Sequence, residues 1–257
     1  MKKALIIIAS LMLIAGLVLL LFEPVSTSVN NYTANKIADE FDEIVREANK
    51  PVKKSKSGSH SENNSDYSYS SSSSQQITRP TKEQLDKLLK ASKKYNEGIF
   101  SNQGTVNTSD YTSAAINLKK YGIYNNTYGY ISVPAIGMRL PIYLGVNESA
   151  LSYGAAHLCN TSLPIKGKNV NCVLASHSGF RGRVLFDNIK NLSVGNTVSV
   201  RNYWGTINYK VIKKHTVKPD NTNDIYIRPS RQLLTLVTCV SAGGDKFNRC
   251  IVVCEKT

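Results

Sequence analysis

The apolar positions of this chain change texture from one end to the other. From Ala4 to Phe22 they run almost unbroken, interrupted only by Ser10 and Gly16. That stretch is about long enough to span a bilayer as a helix at ~1.5 Å per residue. Over residues 33–48 they turn periodic: Ala34, Ile37, Ala38, Phe41, Ile44, Val45 and Ala48 follow the spacing of one helical face. Thr33 is placed to cap that helix and Pro51 to close it. A second periodic stretch, about 82–96, sets Leu85, Leu88, Leu89 and Tyr95 on one face behind a Thr81-x-x-Gln84 capping box, with Gly98 as its stop. A short helix around 111–121 is also expected. From Tyr128 onward short β-like runs take over: 129–133, 140–144, 171–176, 197–200, 205–213, 233–238 and 251–254. Turn residues punctuate them at the intervals of an antiparallel or mixed barrel. Roughly 130 residues suffice for such a barrel to bury its own core.

Between the helical stretches lies a different kind of sequence. Eleven of the twenty residues from Ser55 to Ser74 are serine, too few of them apolar to offset the entropy of ordering. The segment reads as a flexible tether that holds the working part off the membrane. The organisation is then an anchor over 1–24, a juxtamembrane helix over 25–50, a Ser-rich disordered tether over 51–80, a helix with a lid-like segment over 81–127, and a barrel over 128–257. The fold class is mainly β: a closed barrel with short helices, preceded by a transmembrane helix and a partly helical, partly disordered stalk.

Charge and cysteine content sharpen the picture. Lys and Arg total 32 against 18 Asp and Glu, a formal charge of +14. Such a surface suits nucleic acid, anionic lipid or an acidic polymer. Lys2 and Lys3 precede the apolar run, and the positive-inside bias keeps them cytoplasmic, which makes this a single-pass protein of the cell membrane with its barrel outside. That argues against DNA and RNA as partners and for lipid or wall polymers. Residues 23–28 offer no Ala-x-Ala, which favours a retained anchor over its rival, a cleaved signal peptide. Five cysteines leave an odd thiol even if the others pair. Cys159 and Cys172 enclose a turn-rich loop where pairing is open to them. Cys250 and Cys254, four apart on a strand, share a face but are too far apart to bond to each other. No Cys-x-x-Cys pair is present and His is scarce, so no metal or cofactor is expected.

The candidate chemistry sits at strand ends. Cys239 follows the apolar run 233–238, which would present a thiol at the barrel rim. His177 follows the strand 171–176 and precedes a Ser-Gly turn, exposed enough to exchange protons. A Cys and a His on two strand tips can meet as a nucleophile pair must. Arg249 lies ten residues beyond Cys239, across a Gly-Gly loop, and a hairpin return brings it beside the thiol. A permanent cation there favours thiolate and can hold an oxyanion. His157 reads as structural, His215 as solvated, and His60 lies in the tether.

Taken together, Thr235-Leu236-Val237-Thr238-Cys239, Ala175-Ser176-His177-Ser178-Gly179 and Arg249 resemble the sortase signature, and the resemblance runs over about 128–257. It includes Gly129–Ile136, Leu140-Pro141-Ile142-Tyr143, Gly154-Ala155-Ala156-His157-Leu158 and Val217-Lys218-Pro219. Within that family the chain looks most like class C, the pilin-polymerising type. The resemblance implies a sortase-like barrel and a cysteine transpeptidase acting on a sorting signal similar to Leu-Pro-x-Thr-Gly. Cys239 would be the nucleophile, His177 the proton carrier and Arg249 the charge stabiliser, with Thr238 helping to orient the substrate. The implied partners are surface or pilin proteins bearing such a signal and an amine acceptor, either a pilin lysine or the cross-bridge amine of a wall precursor. Class C enzymes commonly carry an Asp-Pro-aromatic plug. Here Asp110-Tyr111 is the nearest counterpart and lacks the proline, so the segment is expected either to stand open or to plug the site with those two side chains. A cysteine peptidase, an L,D-transpeptidase and a non-catalytic surface module are the rival readings. The second places His and Cys in one short motif, unlike this chain.

Overall fold

In the computed structural model, which describes residues 2–50, 79–103, 112–180 and 182–257, the first two hydrophobic regimes merge. Helix α1 runs without a break from Lys2 to Ala48. Pro24 removes one backbone hydrogen bond but does not end it. The polar stretch that follows stays helical because its side chains fold back on carbonyls one turn earlier: Ser28 Oγ donates to Pro24 O (2.8 Å), Asn30 Nδ2 to Ser26 O (2.8 Å) and Thr33 Oγ1 to Val29 O (2.9 Å). Thr33 is therefore no N-cap, since its hydroxyl donates backward instead of accepting from the turn ahead. Ile7, Ile8 and the large apolar residues from Leu11 to Phe22 expose their side chains, and α1 is long and apolar enough to cross a membrane.

The second half of α1 packs on a barrel, on the face its periodicity marks. Ala34, Ala38, Phe41, Ile44 and Val45 are buried, and Phe41 meets Tyr203 at 4.7 Å and the edge of Tyr130 at 6.0 Å between ring centroids. Burying such a ring contributes on the order of 1.5–3 kcal/mol. At its border Asp42 accepts from Tyr130 Oη (2.7 Å), Arg201 Nε (3.0 Å) and Arg139 Nη2 (3.4 Å). Glu47 pairs with Arg79, so the chain leaves α1 and returns to it at nearly one point. The Ser-rich stretch, read as a tether, lies outside the described residues.

Helix α2 (Lys82–Asn102) begins at the expected capping box, with Thr81 and Gln84 bonded reciprocally, and continues through Gly98, which does not stop it. Gln103 then clips to the backbone of Ile227 with both ends of its amide (2.9 and 3.3 Å). The short helix expected near 111–121 is a 3₁₀ turn, Leu118–Tyr121.

Eight strands among the described residues close the barrel: β1 (Thr127–Val133), β2 (Met138–Leu144), β3 (Ala155–His157), β4 (Val170–Ala175), β5 (Thr197–Asn202), β6 (Gly205–Val217), β7 (Gln232–Ser241) and β8 (Phe247–Lys256), in the order β1-β2-β3-β4-β7-β8-β6-β5. The pairs β2/β3 and β4/β7 are parallel and the others antiparallel, so the barrel is mixed. The strand period of two sorts each strand between an inner and an outer face. Cys172, Leu174, Leu234, Leu236, Cys250, Val252 and Cys254 point into the core. Leu233, Ile251 and Val253 form a separate outer cluster with Val217. Cys239 and Arg249 share the parity of that outer face.

Candidate active site

The β7–β8 hairpin makes the first contact of the site. Its loop closes with Ala242 N–H donating to Lys246 O (2.9 Å). Gly243 (φ +96°) and Gly244 (φ +57°) take up left-handed backbone there. The resulting register sets Cys239 directly opposite Arg249, and Arg249 Nη1 lies 3.3 Å from Cys239 Sγ. Cys239 is half-buried and β7 runs two residues beyond it, so the thiol stands on an outer strand face near the rim, not on the terminal residue.

The second contact comes from the parallel neighbour. Strand β4 ends at Ala175, and the turn after it is clipped to β7 at several points. Ser176 N–H donates to Val237 O (3.3 Å), Thr238 Oγ1 donates to Ser176 O (2.8 Å), and Ser178 Oγ donates to the carbonyl of Cys239. His177 sits between these clips, with its side chain 30% exposed and its ring stacked on Phe180 at 5.4 Å. Its Nε2 is buried, has no hydrogen-bond partner among the described residues and lies 3.4 Å from a carboxylate oxygen of Glu148, at the start of α3 (Glu148–Tyr153). An exposed carboxylate at that distance orients an imidazolium weakly. Asp187 fixes the rest of the turn by accepting from Gly179 N–H (2.6 Å) and Leu185 N–H (2.9 Å).

Thr238 takes a different place from the one expected. Being adjacent to Cys239 on a strand, it points the opposite way. It is buried and its hydroxyl is donated to Ser176. Its hydroxyl thereby ties β7 to the turn that carries His177. Asp110 and Tyr111 lie outside the described residues.

Beyond the thiol, the half-exposed Ala175 and Val237 form the floor of the outer face. Its wall is the β6–β7 connection. There the carbonyl of Asp224 accepts from Asn171 Nδ2 (2.8 Å) and Thr235 Oγ1 (3.2 Å), and its buried carboxylate gathers His215 Nε2 (2.8 Å), Lys213 Nζ (3.3 Å) and Arg228 Nη2 (3.4 Å). His215, read as solvated, instead places its Nε2 against this carboxylate, since a buried carboxylate needs polar partners. Nothing in sequence spacing joins residues 171, 215, 224 and 235; only the barrel does.

All five cysteines are free, Cys159 and Cys172 included. Burial pushes the thiols of Cys172 and Cys250 up and that of Cys254 to about 12, which leaves them protonated and unreactive. Among the described residues no group of His, Cys, Asp and Glu could hold a metal ion. His157 is fully buried, with Nε2 3.0 Å from Ser162 O, and burial pulls its pKa down to about 4. Between pH ~4 and ~6.5 the unfolded chain binds a proton that the folded chain refuses, so stability falls as pH drops through that window, by up to about 3 kcal/mol. Urea unfolding at pH 7 and pH 4.5 should show this loss in the parent and a smaller one in His157→Gln. Equal losses in both would assign the acid sensitivity elsewhere.

Comparison with known proteins agrees with this fold. The sortase domain family model matches residues 131–257. The structure superimposes on sortase C from Clostridium perfringens, solved with the C-terminal cell wall sorting motif, at a TM-score of 0.60 and 31% identity, covering 70% of this chain and 93% of that one. The chain belongs to the sortase family. A pilus-related sortase C of Group B Streptococcus gives a TM-score of 0.59 and 30% identity, with the same shares covered. A curated relative, sortase A of Streptococcus agalactiae, is 28% identical over 168 residues, 64% of each chain. The chain therefore matches just under two thirds of that relative's length. The family match covers the barrel, including Cys239, His177 and Arg249.

Proposed function

We propose that this chain is a membrane-anchored cysteine transpeptidase that cleaves a sorting signal similar to Leu-Pro-x-Thr-Gly at Thr–Gly and passes the acyl group to the lysine of a pilin subunit. The observation that carries this reading is the Arg249 guanidinium 3.3 Å from the Cys239 sulfur on paired strand positions, beside a His177 turn clipped to the same strand.

The Cys239 thiolate attacks the threonine carbonyl carbon, forming a C–S bond. The carbonyl oxygen takes up the charge, and the Arg249 guanidinium lies where it can share it. The C–N bond then breaks as His177, in its imidazolium form, protonates the departing glycine amine. A thioester remains. An incoming amine attacks it, its proton passes to His177, and the thiolate leaves. One amide is exchanged for another with no change of oxidation state, so no cofactor is required. The half-exposed floor of Ala175 and Val237 would carry the peptide, with the Asp224-anchored wall alongside. In this reading Lys2 and Lys3 stay in the cytoplasm and the barrel faces outward.

The resemblance to sortase C structures, one solved with a sorting motif and one pilus-related, supports the donor and the acceptor. The curated sortase A relative supports a second acceptor, the amine of a wall precursor. The deciding experiment supplies the full chain with a sorting peptide, a lysine-bearing pilin peptide and a cross-bridge amine together, and weighs the products. A lysine-linked product is expected. Transfer only to the cross-bridge amine would favour wall anchoring, and release only as free acid would make the enzyme a peptidase.

A further inference from the structure

The first residues beyond the apolar stretch of α1 do not stand free. Ser26 Oγ (3.1 Å) and Asn30 Nδ2 (2.6 Å) both donate to the carbonyl of Gly182, in the turn that follows His177. Gly182 has positive φ (+72°), and a Cβ there would run into the Ser26 side chain. The fit therefore requires glycine. The other contacts of α1 described above lie further along the helix: Ala34, Phe41 with Tyr203, Asp42 with Tyr130 and Arg201, and Glu47 with Arg79 ahead of α2. At ~1.5 Å per residue, counting from Phe22, Ser26 stands about 6 Å and Asn30 about 12 Å beyond the apolar stretch, whereas Phe41 stands about 28 Å and Glu47 about 37 Å beyond it. A headgroup layer is roughly 5–7 Å deep.

We infer that the turn carrying His177 rests against the headgroups of the bilayer that α1 crosses, and that the reacting pair works at the membrane surface, not at the end of a stalk. The inference rests on the reading of α1 as a membrane anchor and adds an orientation to it. The helix is continuous across this junction, with Pro24 inside it, and its second half is buried on the barrel. The turn's exposed chemistry suits an interface. Phe180 and Val184 are each 36% exposed, and the Arg183 guanidinium lies 3.9 Å over the Tyr153 ring and 5.4 Å over that of Phe180. Aromatic rings and arginines with apolar stems are the side chains that settle at a membrane–water boundary. The net charge of +14 favours anionic lipid there.

Trp204 is the only tryptophan in the chain and serves as an internal reference. It contacts Tyr203, which packs on Phe41, far from the anchor. The full chain is reconstituted in vesicles of phosphatidylcholine and phosphatidylglycerol, with a spin label on a fraction of the headgroups. Tryptophan quenching is then compared among the parent, Phe180→Trp and Val184→Trp. Severalfold stronger quenching of the two added tryptophans than of Trp204 is expected. Leu19→Trp, measured with bromine-labelled acyl chains, reports on the anchor. If the tryptophan at 19 is quenched but those at 180 and 184 are quenched no more than Trp204, the helix spans the membrane and the turn stands clear of it, which overturns the inference alone. If the tryptophan at 19 escapes quenching, the anchor reading falls and takes the inference with it.

Discussion

Cys239→Ala should abolish both the acyl-enzyme and the transfer product, leaving only background hydrolysis. The thiol is half-buried on the outer face of β7 with a guanidinium 3.3 Å away. The alternatives within the chain are poorly placed to replace it. Cys172, Cys250 and Cys254 are buried in the barrel core, where burial holds their thiols protonated. Cys159, also free, lies next to Asn160, whose N–H is donated to the Tyr95 hydroxyl under α2, away from the His177 turn. Intact-protein mass measurement with a sorting peptide reads the outcome directly, because the thioester adds the mass of the acyl fragment. The adduct should persist in Cys159→Ser and in the folded fraction of Cys172→Ser, Cys250→Ser and Cys254→Ser. Each of the last three buries a hydroxyl at a cost of about 1–3 kcal/mol if it is left unpaired, so folding must be checked before chemistry is scored. Normal turnover by Cys239→Ala would refute the mechanism.

Arg249→Ala should lower kcat by roughly 10²–10³, the ~2.7–4 kcal/mol typical of losing one donor to a developing oxyanion. Arg249→Lys should recover little of this. An ammonium keeps the charge but lacks the planar fork that can serve sulfur and oxygen together. The rival account is that Arg249 merely packs the hairpin. That account predicts a lowered melting temperature with the rate constant preserved in the folded protein. The two are separated by measuring thermal unfolding and single-turnover acylation on the same samples. An unchanged acylation rate in Arg249→Ala would remove Arg249 from the chemistry.

Much of the site could be read from the chain, and for local reasons. The pairing of Cys239 with Arg249 follows from a hairpin, whose geometry depends on a ten-residue separation and two adjacent glycines. The capping box of α2, the buried face over 34–48 and the inward set Cys250, Val252 and Cys254 follow from helical and strand periods. These patterns are imposed by backbone hydrogen bonding within a few residues, so they survive in the sequence. Their limits were local too. Strand β3 is three residues long, shorter than any period that could reveal it. Gly98 and Thr33 carry the composition of helix ends, but packing and i−4 hydrogen bonds carry both helices through.

What only the tertiary structure decided is how distant elements share the work. Parallel pairing of β4 with β7 brings the His177 turn to the strand that carries the cysteine, and the Thr238 hydroxyl clips that turn. Barrel closure collects Lys213, His215, Asp224 and Arg228 around one buried carboxylate, and Asn171 and Thr235 on its carbonyl. The fusion of anchor and amphipathic helix into α1 puts Gly182 against Ser26 and Asn30, more than 150 residues apart in the chain, and sets the barrel close to the apolar stretch despite the serine-rich segment between them in sequence. The physical reason is the same in each case. The residue types needed to satisfy a buried carboxylate, a carbonyl or a close backbone approach are common ones, and no spacing rule links them. Their identity is written in the sequence, but their partnership exists only once hydrophobic burial has closed the barrel and packed α1 on it.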